Sequence, residues 1–160
     1  MKAKIREIIP GEGLGALKFG MTRNMVLALI GEPDEKETFS YSETESEMTE
    51  SWEYLELGIS LNFDEEDDWK LVLITVYSDY YLFKGEAIVG EGRAFLEEIF
   101  DQEGINDVQE EDWSSEESPR HILLESDALS INFWFSKDVL DEVQLSPQFI
   151  DDETIKWPKL

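Results

Sequence analysis

The chain has 160 residues, of which 13 are Lys or Arg and 38 are Asp or Glu, and its formal net charge is −25. That charge argues against nucleic acid or an anionic membrane as partner, because both are bound through basic groups. The absence of cysteine excludes disulfides and thiolate chemistry.

Enough apolar side chain is present to build a core, since 41% of the residues are hydrophobic and 12% are aromatic. The chain is therefore expected to fold as one domain with its charge at the surface. No run approaches the roughly 20 apolar residues of a membrane span. Residues 1–6 are basic, but Glu7 and Pro10 interrupt them before any apolar signal region forms, so we expect a cytoplasmic protein.

A first short helix is predicted after a flexible, glycine-rich lead-in at residues 11–15. Thr22 can cap its N-terminus. Apolar residues recur at helical spacing after the cap: Met25, Val26, Leu29 and Ile30. Gly31 and Pro33 are expected to end the helix, because glycine suits a left-handed C-terminal position and proline prevents continuation.

Antiparallel strands are predicted to follow this helix. Residues 38–41 and 52–57 are candidates, and residues 59–63 alternate apolar and polar side chains with the period of a half-buried strand. The five acidic residues at 64–68 form the predicted tip of a hairpin. Residues 70–77 return from it as the next strand.

The same order of elements is predicted again in the second half. A helical stripe ends at Gly104, and its members are Ala94, Phe95, Ile99 and Phe100. Strand candidates follow at residues 105–110, 121–125, 128–135 and 139–146, with a hairpin tip at 136–138. The tail beyond residue 146 carries apolar side chains that can pack back on the body: Phe149, Ile155 and Trp157.

Two segments read almost alike, Gly-Ile-Ser-Leu-Asn-Phe at residues 58–63 and Ala-Leu-Ser-Ile-Asn-Phe at residues 128–133. Such a repeat predicts one unit built twice. The predicted fold class is α+β, a tandem repeat of a short helical segment followed by three to four antiparallel strands, with the helices packed on one sheet face. The repeats span about 14–79 and 86–147 of a single domain, 1–160, with a short C-terminal tail. The pattern leaves open whether the two sheets merge.

The opening of the first unit resembles a known structural motif. Its residues are Leu17, Lys18, Phe19, Gly20, Met21 and Thr22, followed by Val26, Ile30, Gly31 and Pro33. The segment is similar to the helix-plus-strands unit of the SmpA/BamE-type outer-membrane assembly lipoproteins and of the β-lactamase-inhibitor-protein-like proteins, which carry the unit in tandem. The resemblance implies a protein that binds other proteins and is not an enzyme.

The chain departs from both groups. We expect no role in outer-membrane assembly, because the sequence shows no lipoprotein signal with an acylated cysteine. It also lacks the cysteines that brace the β-lactamase inhibitors, so no β-lactamase-binding residue carries over. The second copy has Gly-Glu-Gly-Arg at residues 90–93 where the first has Gly-Met-Thr-Arg at residues 20–23, so only the first keeps the motif.

No catalytic, cofactor or metal site is predicted. The single histidine, His121, has no cysteine or second histidine to act with, so a structural or surface role is expected. Carboxylate pairs are too numerous for any one of them to indicate acid–base catalysis. The acidic tip at 64–68 offers oxygen ligands to calcium but lacks the glycine of an EF-hand, which favours a solvated hairpin. The glycines at 11–20 are not followed by the Gly-Lys-Ser/Thr sequence that ends a phosphate-binding loop, so no nucleotide site is expected there.

Two tracts without a basic residue are predicted to bind a partner. Twelve acidic residues lie between Lys36 and Lys70, and ten lie between Arg93 and Arg120. Each tract contains tryptophan, and aromatic anchors ringed by charge are common at protein interfaces. Trp52 is expected to point inward, whereas the other two tryptophans of the tracts are expected to be exposed. The candidate partner-binding residues are Asp64, Glu65, Glu66, Asp67, Asp68, Trp69, Glu110, Glu111, Asp112 and Trp113.

These features favour a non-catalytic, acidic protein-binding module whose partner is a basic protein, such as a toxin neutralised by an immunity-type protein. Two alternatives stay open. One is a soluble scaffold or housekeeping domain whose acidity serves solubility only. The other is an acidic-pocket hydrolase assisted by a metal ion. The sequence does not indicate an oligomeric state.

Overall fold

The computed structural model describes residues 2–40 and 47–160. The predicted strand at residues 38–41 and the polar stretch after it lie partly outside these residues. In chain order the described elements are a 3₁₀ turn (Lys2–Ile5), β1 (Ile8–Ile9), β2 (Gly13–Leu14), β3 (Leu17–Lys18), α1 (Arg23–Ile30), β4 (Glu35–Phe39), β5 (Thr49–Tyr54), β6 (Ile59–Asp64), a 3₁₀ turn (Glu65–Asp67), β7 (Lys70–Val76), β8 (Leu82–Phe83), β9 (Glu86–Ala87), α2 (Arg93–Glu103), β10 (Gln109–Asp112), β11 (His121–Ser126), β12 (Ile131–Ser136), β13 (Val139–Leu145), β14 (Gln148–Phe149) and β15 (Ile155–Lys156).

One large antiparallel sheet dominates the described part of the chain. Its strand order is β10-β11-β12-β13-β7-β6-β5-β4. The two sets of four strands meet where Val143–Leu145 of β13 pair with Ile74–Val76 of β7. The sequence leaves open whether the two predicted sheets merge, and in the structure they form a single continuous sheet. Shorter strands form small sheets beside it, namely β1-β2-β3, β8-β9 and β14-β15.

The predicted fold class is wrong. The sequence predicts an α+β tandem repeat of a helical segment and three to four strands, with the helices covering one sheet face. The structure is instead mostly sheet, with 43% strand and 16% helical residues. The physical reason lies in how little the helices bury. α1 buries only Val26 and Ile30, and α2 buries only Leu96, Ile99 and Phe100. Two such short helices cannot cover eight strands.

Segments outside the helices supply much of the layer that covers the sheet. Leu14 of β2, Leu17 of β3 and Phe83 of β8 are each 0% exposed. Phe83 and Phe100 both contact Phe133 of β12, with ring centroids 5.6 and 5.3 Å away. The glycine-rich lead-in is therefore a packed three-stranded sheet, although the sequence predicts a flexible segment there.

The two predicted helices are confirmed, and their ends follow the predicted signals. The Thr22 hydroxyl accepts a hydrogen bond from the Met25 N–H at 3.2 Å, which caps the start of α1. Gly31 ends α1 as predicted, and its N–H donates to the Leu27 carbonyl at 2.9 Å. Its φ of +82° and ψ of −168° differ from the left-handed helical conformation that the sequence predicts there. Gly104 ends α2 in the left-handed conformation.

The strand periodicity is confirmed for residues 59–63, while two predicted strand starts are displaced. Ile59, Leu61 and Phe63 are 0% exposed, and the polar residues between them are half-buried. β12 begins only at Ile131 because residues 127–130 form a turn. The strand predicted from residue 105 begins at 109, since the Ile105 N–H donates to the Phe100 carbonyl at 2.8 Å and extends the end of α2.

Candidate protein-binding surface

One face of the large sheet turns away from both helices. Residues directly opposite each other in paired strands share a face, so the pairing assigns each residue to one side. Arg23 of α1 binds Glu50 at 3.1 Å and Arg93 of α2 binds Glu110 at 2.6 Å, which places both helices on the side of these two glutamates. We define the outer face as the strand residues on the opposite side, continued by Tyr77 after β7 and by residue 113 after β10.

The outer face is strongly acidic. Its carboxylates are Glu35, Glu37, Glu53, Asp64, Glu111, Glu125 and Glu142. Among the described strand residues the only Lys or Arg on this side is Lys70, which pairs with Asp64 at the hairpin end. A surface of one sign attracts a cationic partner and speeds the encounter with it.

Two carboxyl groups on the outer face, those of Glu125 and Glu142, lie in surroundings that disfavour their charged form. Burial raises the pKa of Glu142, the charges of Asp141 and Glu53 raise it further, and His121 opposes the rise. The pKa of Glu125 is also raised, by burial first and by neighbouring acids after it. Within the described residues neither carboxylate forms a hydrogen bond or an ion pair. A cation from outside would stabilise both charged forms.

An aromatic cluster, defined as Trp113, His121 and Trp134, lies on the same face. The Trp134 ring contacts Trp113 edge-on at a centroid distance of 5.8 Å and lies 4.9 Å from the His121 ring. The Trp113 indole N–H donates to the Glu111 carboxylate at 3.2 Å, and the Trp134 indole N–H donates to Gln144 at 2.7 Å. Trp113 is 56% exposed. An exposed indole held by polar neighbours is typical of an interface anchor.

The predicted acidic hairpin, residues 64–69, lies at the other end of the strands from this cluster. The Asp64 carboxylate accepts from the Thr49 hydroxyl at 2.7 Å, and the Glu65 carboxylate accepts from the Met48 N–H at 3.0 Å. Burial is the main cause that raises the pKa of Asp67, and Asp64 and Glu66 add to it. Asp68 and Trp69 follow with positive φ.

The predicted exposure of Trp69 is wrong, while the inward position predicted for Trp52 is confirmed. Trp69 is half-buried, and the Arg23 guanidinium lies 4.7 Å from its ring centroid. Trp52 is 1% exposed and packs against Phe63 at 4.7 Å. The first acidic tract therefore presents no exposed tryptophan among its described residues.

The second predicted group, residues 110–113, lies on the edge strand β10 and is divided between the two faces. Glu111 and Trp113 belong to the outer face, whereas Glu110 turns to Arg93 on the helix side. Hydrogen bonds from Ser114, first from its hydroxyl and then from its N–H, hold the pKa of Asp112 below its usual range. Four strands, β11, β12, β13 and β7, separate β10 from β6. The two predicted groups therefore do not form one site.

Sequence reasoning missed several residues of the outer face, above all Trp134, Glu125 and Glu142. Trp134 lies between two buried phenylalanines in a run of three aromatic residues, and alternation is the one signal that turns it outward. Glu142 follows a register shift in the pairing of β12 and β13. Beyond such a shift, the residues of a strand that face a given side of the sheet change from odd to even positions or the reverse. Local alternation cannot place a residue beyond such an irregularity.

The part of the chain that the structure describes contains no group of three or more His, Asp or Glu side chains arranged to hold a metal ion. None of its helices has the length and apolar composition needed to cross a membrane.

No family model matches the chain, and no curated protein and no solved structure shows significant similarity to it. The resemblance carried by residues 17–33 stays a prediction.

Proposed function

We propose that the protein is a non-catalytic, cytoplasmic binding module that engages a basic protein through its outer face. The observation that carries the proposal lies on one sheet face, where Glu125 and Glu142 have no hydrogen bond or ion pair among the described residues and lie near an aromatic cluster whose Trp113 is exposed. A cationic toxin masked by an immunity-type protein is one example of the partner class. The resemblance to groups of protein binders agrees with this class.

Charge and aromatic contact contribute to different steps of such binding. The field of the acidic surface speeds the encounter, but salt screens it beyond about 8 Å at physiological ionic strength. The affinity depends on groups in contact, and truncating one well-packed aromatic anchor typically costs about 2 kcal/mol or more. The outer face offers both kinds of group, because Glu111 and Glu125 flank the aromatic cluster in the strand pairing.

One observation favours the alternative, a scaffold or housekeeping domain whose acidity serves solubility only. α2 exposes several acids on the other side of the sheet from the outer face: Glu97, Glu98, Asp101 and Glu103. Under this alternative the position of the charges is unimportant, and only their number has an effect.

Charge reversals at two matched positions separate these proposals. One variant carries Glu111→Lys and Glu125→Lys on the outer face, and the other carries Glu98→Lys and Asp101→Lys on α2. Both change the net charge by the same amount. Immobilised protein is first used to capture basic proteins from source cells at about 0.15 M salt, and the affinity of a purified captured protein is then measured for each variant.

We expect the outer-face variant to bind about tenfold or more weakly and the α2 variant to stay within about threefold of the unaltered protein. Capture alone does not support the proposal, because any acidic protein retains some cations. Equal losses for both variants, or no basic protein retained, would contradict it.

A further inference from the structure

The five tryptophans divide into two classes by what lies over their rings. Three of them are each covered by a cation of the same chain: Lys36 over Trp52 at 4.8 Å, Arg23 over Trp69 at 4.7 Å and Lys70 over Trp157 at 5.3 Å. Within the described residues no lysine or arginine lies over the rings of Trp113 and Trp134, and the Trp134 ring contacts both Trp113 and His121. In the part of the chain that the structure describes, the two indoles on the outer face are thus the ones without a lysine or arginine over their rings.

Carboxylates surround this uncovered pair. Glu142 is directly opposite Trp134 in the pairing of β12 and β13, and opposite residues have Cβ atoms about 5 Å apart. Glu111 accepts the indole N–H of Trp113. The Glu142 carboxylate, in contrast, has no hydrogen-bonding partner within the described residues. An indole face next to an unpaired carboxylate is the environment in which a cationic side chain gains both a cation–π contact and an ion pair.

The basic residues nearest to the cluster in sequence, Arg120 and Lys137, do not supply that cation. Arg120 precedes His121, but its guanidinium forms an ion pair with Asp138 at 2.7 Å. Lys137, three residues after Trp134, makes no cation–π contact and no ion pair among the described residues. The cation of the proposed site therefore comes from another molecule.

We infer that Trp113, Trp134 and Glu142 form a receptor site for an arginine side chain of the partner protein. The inference rests on the proposed function and adds the chemical group that enters the outer face. The guanidinium lies against the indole rings and donates hydrogen bonds to the Glu142 carboxylate. Arginine fits better than lysine, because the guanidinium is planar, stacks on aromatic faces and is more weakly hydrated than an ammonium group.

Small probes test the site without knowledge of the partner. Nα-acetyl-arginine amide is titrated into the protein, with the citrulline analogue as a neutral isostere and the lysine analogue as a second cation. The five indole N–H signals are followed by ¹H–¹⁵N NMR and assigned by Trp→Phe substitutions. Glu142→Gln removes the charge at nearly constant shape, and Glu98→Gln on α2 is the matched control.

We expect the arginine probe to shift the signals of Trp113 and Trp134 saturably and to leave those of Trp52 in place. The lysine probe should bind more weakly, and the citrulline probe should cause no saturable shift. Glu142→Gln should lower the affinity for the arginine probe about fivefold, while Glu98→Gln should leave it unchanged. Equal shifts at all five indoles, equal effects of citrulline, or no effect of Glu142→Gln would overturn the inference.

The failure of this inference is distinguishable from the failure of the proposed function. With a captured partner, Trp113→Ala should weaken binding about tenfold, and the exposed position of the side chain makes this variant safe for folding. Unchanged partner affinity in both Trp113→Ala and Glu142→Gln would overturn the arginine site and leave the function proposed for the outer face. Saturable, arginine-specific shifts without any captured basic protein would support the site and contradict that function.

Discussion

Gly58 occupies the turn between β5 and β6 with a backbone conformation that side chains rarely adopt. Its φ is +67°, its N–H donates to the Tyr54 carbonyl at 2.9 Å, and its carbonyl accepts from the Tyr77 N–H at 2.9 Å. A Cβ atom at this position would lie 2.5 Å from the Ser78 Cβ. The turn therefore needs glycine for its φ angle and also for the space that Ser78 occupies.

We expect Gly58→Ala to lower the free energy of unfolding by about 2 kcal/mol or more, from strain at positive φ and from displacement of Ser78. Gly85→Ala is the matched control, because Gly85 has φ +83° but no atom within 4 Å of the place that a Cβ would occupy. It should lose only about 1 kcal/mol. Urea denaturation of both variants measures the difference. Equal losses would show that the contact with Ser78 relaxes without cost.

Single residues also show which part of the candidate site the sequence can reveal. Glu111 and Trp113 are visible in the sequence because an acidic tract surrounds an isolated aromatic residue. Trp134 and Glu142 come from different segments, and only the pairing of β12 with β13 brings them together. A site that is assembled from two strands depends on the register in which those strands pair. A local sequence pattern does not predict that register where the pairing contains an irregularity.

At the scale of elements, the two edge strands of the large sheet carry charge. Among the described strands β4 and β10 each have one neighbour, and their sequences are Glu-Lys-Glu-Thr-Phe and Gln-Glu-Glu-Asp. An exposed edge offers unpaired backbone groups to another chain, and charged side chains at the edge oppose such pairing. The acidity of these strands thus has a structural role besides any role in binding.

We expect Glu35→Val together with Glu37→Val to promote self-association through β4, because the change gives the edge an apolar, β-prone surface. Size-exclusion chromatography with light scattering, at increasing protein concentration, measures the shift to larger species. Glu116→Val with Glu117→Val is the control, since it makes the same change of charge and apolar area in an exposed loop. Equal association of both variants would attribute the effect to lost charge and would contradict edge pairing.

Elements also mark the limit of what periodicity predicts about the fold. The helices and most strands follow from local spacing and capping, as at Thr22, Gly104 and residues 59–63. The fold class does not follow from local spacing. It depends on how much of the layer that covers the sheet is helical and on the pairing of β7 with β13. That pairing joins only three residues on each strand. Contacts between segments so distant along the chain leave no trace in local alternation.

At the scale of the whole molecule, the charge of −25 acts on stability and on binding in opposite directions. Acids outnumber bases by 38 to 13, so most carboxylates have no basic partner and repel one another in the folded state. Self-repulsion of this kind destabilises a compact protein, and salt screens it. The attraction to a cationic partner is screened by the same ions.

Raising NaCl from about 0.01 M, where the Debye length is about 30 Å, to about 0.15 M, where it is about 8 Å, should therefore stabilise the fold. We expect the Tm to rise by roughly 3–6 °C, which corresponds to about 1–2 kcal/mol for a chain of this length. Calorimetry measures it, and sucrose at equal osmolality is the control for non-ionic effects. Over the same range the affinity for a basic partner should fall, mainly through a slower association rate. A Tm that stays constant or falls would mean that the carboxylates lie too far apart to repel one another, and the acidic outer face would then lack the field on which the attraction of a cationic protein depends.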